Sequence, residues 1–201
     1  MVADARRVAP ATGRNREPIL SAFRQWLPPE GLVLEIASGS GEHALFFAEA
    51  LPRLIFQPTD PDTRALASIA AWAQTKALPN LRAPLMLDAA SAEWPVAHAD
   101  AILCINMIHI APWDATLGLL DGAARLLSPN QSLCLYGPYR QEGVAFAPSN
   151  AAFDEDLRRR DPRWGIRQLE TVAMEAARRG LRLGDVQPMP ANNLCVRFIR
   201  D

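Results

Sequence analysis

Residues that build metal sites and disulfides are scarce in this chain: three cysteines and three histidines among 201 residues. Cys104, Cys134 and Cys195 each fall in a separate apolar run, and no CxxC spacing joins them. A disulfide framework and a structural zinc site are therefore not expected, and buried reduced thiols suit a cytoplasmic protein. His43, His98 and His109 are scattered, so no metal motif is expected. No apolar run approaches the roughly 18 residues of a membrane span. Residues 1–16 carry charges with no apolar stretch behind them, so no signal peptide is expected. Charge of one sign is also lacking: 21 basic and 22 acidic residues give a net charge of -1. That excludes the basic surface of a nucleic-acid binder, and Arg158-Arg159-Arg160 reads as a solvated helix face. Internal repeats, low-complexity segments and an evident linker are absent too.

What is present is a hydrophobic fraction of 49%, enough for one sizeable core, and the chain reads as a single domain over residues 1–201. Apolar spacing predicts a helix over Glu17–Trp26 within a lead-in of residues 1–30, ended by Pro28-Pro29. Strands are predicted at Leu32–Ile36, Leu54–Thr59, Leu81–Leu87, Ala101–Met107 and Ser132–Tyr136. Helices are predicted at Glu42–Leu51, Thr63–Lys76 behind an Asp62 cap, Trp113–Leu127 and Gln168–Arg179. Residues 137–167 form an insertion rich in Pro, Arg and aromatics. Leu181–Gln187 and Leu194–Ile199 are too close for a crossover and must pair antiparallel. Strand–helix alternation argues for an α/β fold: a mostly parallel seven-stranded sheet, helices on both faces, and a closing antiparallel hairpin.

The segment Leu32-Val33-Leu34-Glu35-Ile36-Ala37-Ser38-Gly39-Ser40-Gly41-Glu42-His43 carries the most information about function. It reads as a buried strand that breaks into a loop of small residues and then opens a helix. Such a backbone can pass close under a ligand and aim helix N-terminal amides into a crevice. Gly39-x-Gly41-x-x-Ala44 formally matches a dinucleotide fingerprint, with Asp60 near the expected ribose-binding acid. Glu35 opposes that reading, because a carboxylate at the strand's end repels a pyrophosphate. Across the expected sheet edge, Glu35, Asp60, Asp88 and Asn106 end four successive strands. Buried acids are costly without partners, so this row should line a ligand crevice.

The pattern Glu35-x-Ala37-x-Gly39-x-Gly41 resembles the acidic glycine loop of class I S-adenosylmethionine-dependent methyltransferases, with Ala37 in place of the first glycine. Arg14-Asn15-Arg16-Glu17-Pro18-Ile19 and Asn106-Met107-Ile108-His109-Ile110-Ala111-Pro112-Trp113 resemble signature segments of a methyltransferase-like family of uncharacterised function. Tyr136-Gly137-Pro138-Tyr139 and Ser149-Asn150-x-x-Phe153-Asp154 extend the likeness. The resemblance implies a Rossmann-like methyltransferase fold and S-adenosylmethionine as cofactor. Glu35, Ala37, Gly39 and Gly41 would face its methionine part, and Asp60 the ribose. Asp88 with Ala89 would meet the adenine, and Asn106 with Met107 the amino-acid portion. His109 is expected as a base or a pocket wall, with Tyr139 beside it. Tyr136, Arg140, Asn150 and Phe153 are expected on the acceptor side, and the 137–167 insertion as its lid. The expected activity is methyl transfer to a small or medium organic acceptor, without nucleic acid, membrane or metal. A cofactor-binding but catalytically silent protein acting through a partner is the alternative, and an NAD-dependent oxidoreductase a further one. The acceptor and the oligomeric state are not legible in the sequence.

Overall fold

The computed structural model describes residues 4–201; the first three residues of the expected lead-in lie outside the described ones. The chain runs α1 (Thr12–Phe23), β1 (Gly31–Ile36), α2 (Glu42–Ala50), β2 (Leu54–Asp60), α3 (Thr63–Gln74) and β3 (Leu85–Met86). It continues through β4 (Ala101–Ile105), a short 3-10 turn Met107–His109, α4 (Trp113–Leu126), β5 (Ser132–Pro138), α5 (Pro148–Arg160) and α6 (Leu169–Ala177). The hairpin β6 (Leu181–Met189) and β7 (Asn193–Arg200) closes it. The seven strands form one sheet in the order β3-β2-β1-β4-β5-β7-β6. β1 to β5 pair in parallel, while β7 is antiparallel to both β5 and β6. This is the α/β architecture that the alternation of elements predicts and the Rossmann-like methyltransferase fold that the resemblance implies.

Alternate residues of the central strands feed two cores. Val33, Leu103, Cys134 and Tyr136 face one side, where Ile19, Leu20 and Phe23 of α1 and Phe47 of α2 cover them. Leu34, Ile102, Cys104, Leu133 and Leu135 face the other, under Leu119, Leu120 and Ala123 of α4 and Val172 of α6. Leu34, Ile102, Leu133 and Phe198 stand side by side in register across four strands, all fully buried. Each such side chain contributes about 1.5–3 kcal/mol relative to exposure. The three thiols are buried and free. Because the chain steps outward from β1 to β2 and β3 and then returns to place β4 beside β1, a crevice opens between the loops that follow β1 and β4.

Most boundaries fall within two residues of expectation, and three departures are larger. Helix α1 begins at Thr12, takes Pro18 inside it, and ends before Trp26. The third strand is only Leu85–Met86, with a single bridge at Leu81 to Phe56, because Pro84 interrupts the ladder by lacking an N–H. The insertion after β5 is largely helical: α5 is tied in by the buried Asp154 carboxylate, which accepts from Ile166 N, Arg140 Nη2 and Arg158 Nε at 2.7, 3.0 and 3.3 Å.

Gly118 of α4 lets the helix lie against the turn after β3, since a Cβ there would sit 2.1 Å from the Ala89 carbonyl oxygen. Backbone on both sides cannot yield, so Gly118→Ala should destabilise the protein by about 1–3 kcal/mol. That corresponds to a melting temperature lower by about 2–4 °C per kcal/mol. An unchanged melting temperature would contradict this close approach.

Candidate functional site

β1 ends in a loop held away from ordinary conformations. Ala37, Gly39 and Gly41 have φ of +55°, +59° and +90°. Ala37 carries a left-handed penalty of about 1–2 kcal/mol that the glycines avoid. Across the crevice Asn106, just past β4, is also left-handed at +64°. The two strained residues face the same space, a pattern associated with sites rather than with packing. The two glycines differ in purpose. A Cβ on Gly41 would lie 2.7 Å from Ile69 Cα, so that position lets α2 and α3 meet, whereas a Cβ on Gly39 would project into open space.

The loop is braced by its neighbours. Ser38 N donates to Thr59 O at 2.8 Å, and Thr59 Oγ1 donates to Glu35 O at 2.8 Å. Asp60, at the end of β2, accepts Gly39 N through Oδ2 and Asp62 N through Oδ1, each at 2.9 Å. Its carboxylate thus shapes the loop while facing a cleft of about 470 Å³. Burial pushes its pKa up. Glu35 lies deeper. It is 2% exposed, its Oε2 touches no donor among the described residues, and burial raises its pKa to about 7. A buried oxygen without a partner beside an open cleft is an unmet demand for a donor.

Glu35, Ala37, Gly39, Asp60, Asn106 and Met107 therefore come together on one cleft. Gly41 sits behind the loop, and Asp88 and Ala89 do not reach the cleft. Asp88 is exposed and its Oδ1 accepts Ala90 N at 2.9 Å, while Ala89 is buried under α4.

The expected base also lies elsewhere. His109 is fully enclosed, packs edge-on against Tyr139 at 5.0 Å between ring centres, and accepts Arg167 N at Nδ1. Burial, aided by Arg167, lowers its pKa to about 3. It lines neither the cleft below Glu35 nor the cavity near the hairpin tip, and its Nε2 has no partner among the described residues. Tyr139 belongs to the α4/α6 core, and Tyr136 to the α1/α2 core on the face that Val33 and Glu35 share. Tyr139, Arg140 and Asn150 line a separate cavity of about 360 Å³ between the insertion and the hairpin tip, with Phe146, Gln168 and Asn193. That cavity shares no lining residue with the cleft below Glu35. Phe153 is half-buried and lines neither. Arg167 anchors the insertion by donating to Ile108 O and Ala111 O at 2.8 and 2.7 Å.

Sequence reasoning passed over the cleft's other wall. Arg7, Ala9, Thr12 and Asn15 of the N-terminal segment, with His43 of α2, complete it. The segment is fastened there: Arg7 N donates to Ser68 Oγ at 2.8 Å, Trp72 Nε1 to Arg7 O at 2.8 Å, and Ala9 N to Glu42 Oε2 at 2.7 Å. Asn15 belongs to the Arg14–Ile19 segment, but nothing in the spacing of α1 announces that its N-terminal turns face a crevice.

A family model described as "Protein of unknown function (DUF938)" matches residues 6–200. The chain belongs to this family. Its fold is also similar to solved methyltransferase structures. An O-methyltransferase family protein from Burkholderia thailandensis is 15% identical, with a TM-score of 0.80 over 95% of this chain and 57% of that one. An O-methyltransferase family 2 protein from Planctomyces limnophilus, in complex with apigenin, is 17% identical, with a TM-score of 0.78 over 95% and 60%. Human N-acetylserotonin methyltransferase, in complex with S-adenosylmethionine, is 14% identical, with a TM-score of 0.77 over 94% and 52%. The chain spans little more than half the length of these structures. No helix among the described residues is long and apolar enough to cross a membrane.

The raised pKa of Glu35 has a definite sign. Its carboxylate is easier to protonate in the fold than in the unfolded chain, whose value is 4.5. The resulting penalty is absent below pH 4.5, grows as the pH rises, and is complete above pH 7. Glu35→Gln, which removes the charge and keeps the shape, should therefore stabilise the ligand-free protein at pH 8 by up to about 3 kcal/mol. The gain should vanish at pH 4. Urea unfolding across this range checks it, and a variant less stable than the parent at pH 8 would contradict it.

Proposed function

We propose that this protein binds S-adenosylmethionine in the cleft below Glu35 and transfers its methyl group to a small or medium organic acceptor. The single observation that carries the reading is the unpartnered Glu35 carboxylate oxygen, placed where the glycine loop, Asp60 and the strained Asn106 converge. The residues fit the cofactor. Gly39 leaves room for a ligand against the backbone. Asp60 retains acceptor capacity beyond its two backbone bonds, which suits vicinal ribose hydroxyls. Glu35 supplies the counter-charge for a cationic, amine-bearing group, and Ile105, Asn106 and Met107 border the other side. A dinucleotide fits worse, because its pyrophosphate would lie against Glu35.

When bound, S-adenosylmethionine supplies a methyl group activated on a sulfonium. The chain's task is then to exclude water, align the acceptor and keep the cationic end in place, which is a positioning problem first. The anchored N-terminal segment and α1 close the cleft from above, and Asp60 with Glu35 fix the two ends of the ligand. The proposal extends to a small-molecule acceptor with neither nucleic acid nor membrane as partner, and to a cytoplasmic setting.

Titration calorimetry with S-adenosylhomocysteine tests the reading, and saturable NAD binding in its place would overturn it. Gly39→Val should abolish binding while the protein stays folded, since the branched side chain occupies the ligand's space. Binding of S-adenosylmethionine also requires Glu35 as the anion. The anionic fraction rises from about a tenth at pH 6 to about nine-tenths at pH 8, so affinity should rise about tenfold over that range. Glu35→Gln should flatten this dependence, and a persistent slope in the variant would assign the proton elsewhere.

A further inference from the structure

The cavity of about 360 Å³ beside the hairpin tip has no task in holding the cofactor, and its lining is chemically specific. Arg140 is the one charged residue among the described residues that line it. Its guanidinium carbon lies 3.7 Å from the centre of the Phe146 ring, and Nη2 donates to Asp154 Oδ2 at 3.0 Å. The same oxygen accepts Arg158 Nε at 3.3 Å, so one carboxylate serves two cations and positive charge is left over. Arg140 Nε and Nη1 meet no acceptor among the described residues. Phe146 leads into Ala147, which starts α5 without a side-chain cap, and no acid stands in that helix's first turn. The positive end of a 13-residue helix thus borders the same cavity. The lining amides are arranged the opposite way. Asn150 Nδ2 donates to Asn192 O at 2.9 Å, Gln168 Nε2 to Glu170 Oε2 at 2.6 Å, and Asn193 Nδ2 to Pro190 O at 3.0 Å. Each has spent its nitrogen on the protein, and each side-chain oxygen accepts from no described residue. Asn150 is only 7% exposed, so its oxygen is an acceptor held in a buried side chain with no donor supplied. Glu170 itself does not line the cavity.

We propose that this cavity is a second ligand site, for a small organic molecule that carries a carboxylate and, a few bonds away, an ammonium or hydroxyl donor. That is the pattern of an amino acid or a hydroxy acid. Arg140 retains the donors for a two-pronged grip on the carboxylate. The oxygens of Asn150, Gln168 and Asn193 receive the donor, and Met189 and Leu194 offer a wall to an apolar body. A phosphate suits the cavity less well, because the lining amide nitrogens are already spent and its further oxygens would face oxygens. A bare amine would meet Arg140 with like charge. Nothing in this site depends on Glu35 or on the cleft below it, with which the cavity shares no lining residue. The inference therefore goes beyond the methyl-transfer reading and stands or falls separately from it.

The test is a magnetic resonance titration of the nitrogen-15-labelled protein with four probes that share one ring: phenylalanine, 3-phenylpropanoate, phenethylamine and phenyl phosphate. Phenylalanine should move the resonances of Phe146, Ala147 and Asn150 saturably and leave those of Gly39 and Asn106 in place. Phenylpropanoate, which lacks the donor, should bind about fivefold more weakly, the loss of one hydrogen bond. Phenethylamine, which lacks the carboxylate, should bind at least tenfold more weakly, and phenyl phosphate more weakly than phenylalanine. Arg140→Gln should weaken phenylalanine binding at least tenfold. Arg140→Lys, which keeps a cation opposite Asp154 but not the planar fork, should weaken it while the protein stays folded, and serves if the first variant does not fold. Resonances that neither carboxylate moves saturably, or movement at Gly39 and Asn106 instead, overturn the site. Tighter binding of phenethylamine or phenyl phosphate overturns the ligand class, and phenylpropanoate binding as tightly as phenylalanine overturns the role of the amide oxygens. An Arg140→Lys variant that binds as the parent does overturns the grip assigned to Arg140.

Discussion

Glu35 is buried on the strand that starts the sheet's central crossover, and one of its carboxylate oxygens meets no donor. A charge in that position must be balanced from outside the chain or cancelled by a proton, and the elevated pKa leaves the group divided between the two near neutral pH. The rest of the site is arranged around this demand. Asp60 stands on the neighbouring strand, close enough to discourage ionisation further, yet it is occupied with backbone amides of the glycine loop and cannot satisfy Glu35. Residues held in left-handed conformations at Ala37 and Asn106 keep the space above open instead of letting side chains collapse into it. Stability is given up at one point of the fold so that a cationic ligand finds its partner already in place.

Strand parity explains where the chemistry falls. Glu35 and Tyr136 point to the face that α1 and α2 cover, whereas Tyr139, three residues beyond Tyr136, points to the face under α4 and α6. His109 follows Tyr139 into that second core. Proximity along a strand end therefore does not place two side chains in one cavity. The polar wall opposite Asp60 comes from α1 and α2, elements that the alternation of strands and helices assigns to packing alone.

Much of the fold was legible because its signals are local and repeated. Apolar runs at Leu32–Ile36 and Ala101–Ile105, the Asp62 cap and the short link between β6 and β7 each state their element directly. The loop from Ala37 to Gly41 with Glu35 and Asp60 was equally readable, since a run of small residues after a buried acid packs poorly but cradles a ligand well. What escaped has physical reasons. Pro84 cuts the third strand short on its N-terminal side. The burial of His109 depends on Arg167 and Gly165, 58 and 56 positions along the chain, and no spacing rule reports such a contact. Asn15 and His43 meet only because α1 packs on α2, a long-range event that leaves no periodic trace in either segment.

The central claim is most directly tested by a crystal structure of the protein with S-adenosylhomocysteine. The account requires the ribose hydroxyls on Asp60 and a ligand nitrogen within hydrogen-bond distance of Glu35 Oε2, with Gly39 directly beneath the ligand. A ligand bound in the second cavity near Tyr139 and Arg140, or one that leaves Glu35 Oε2 without a donor, would contradict it.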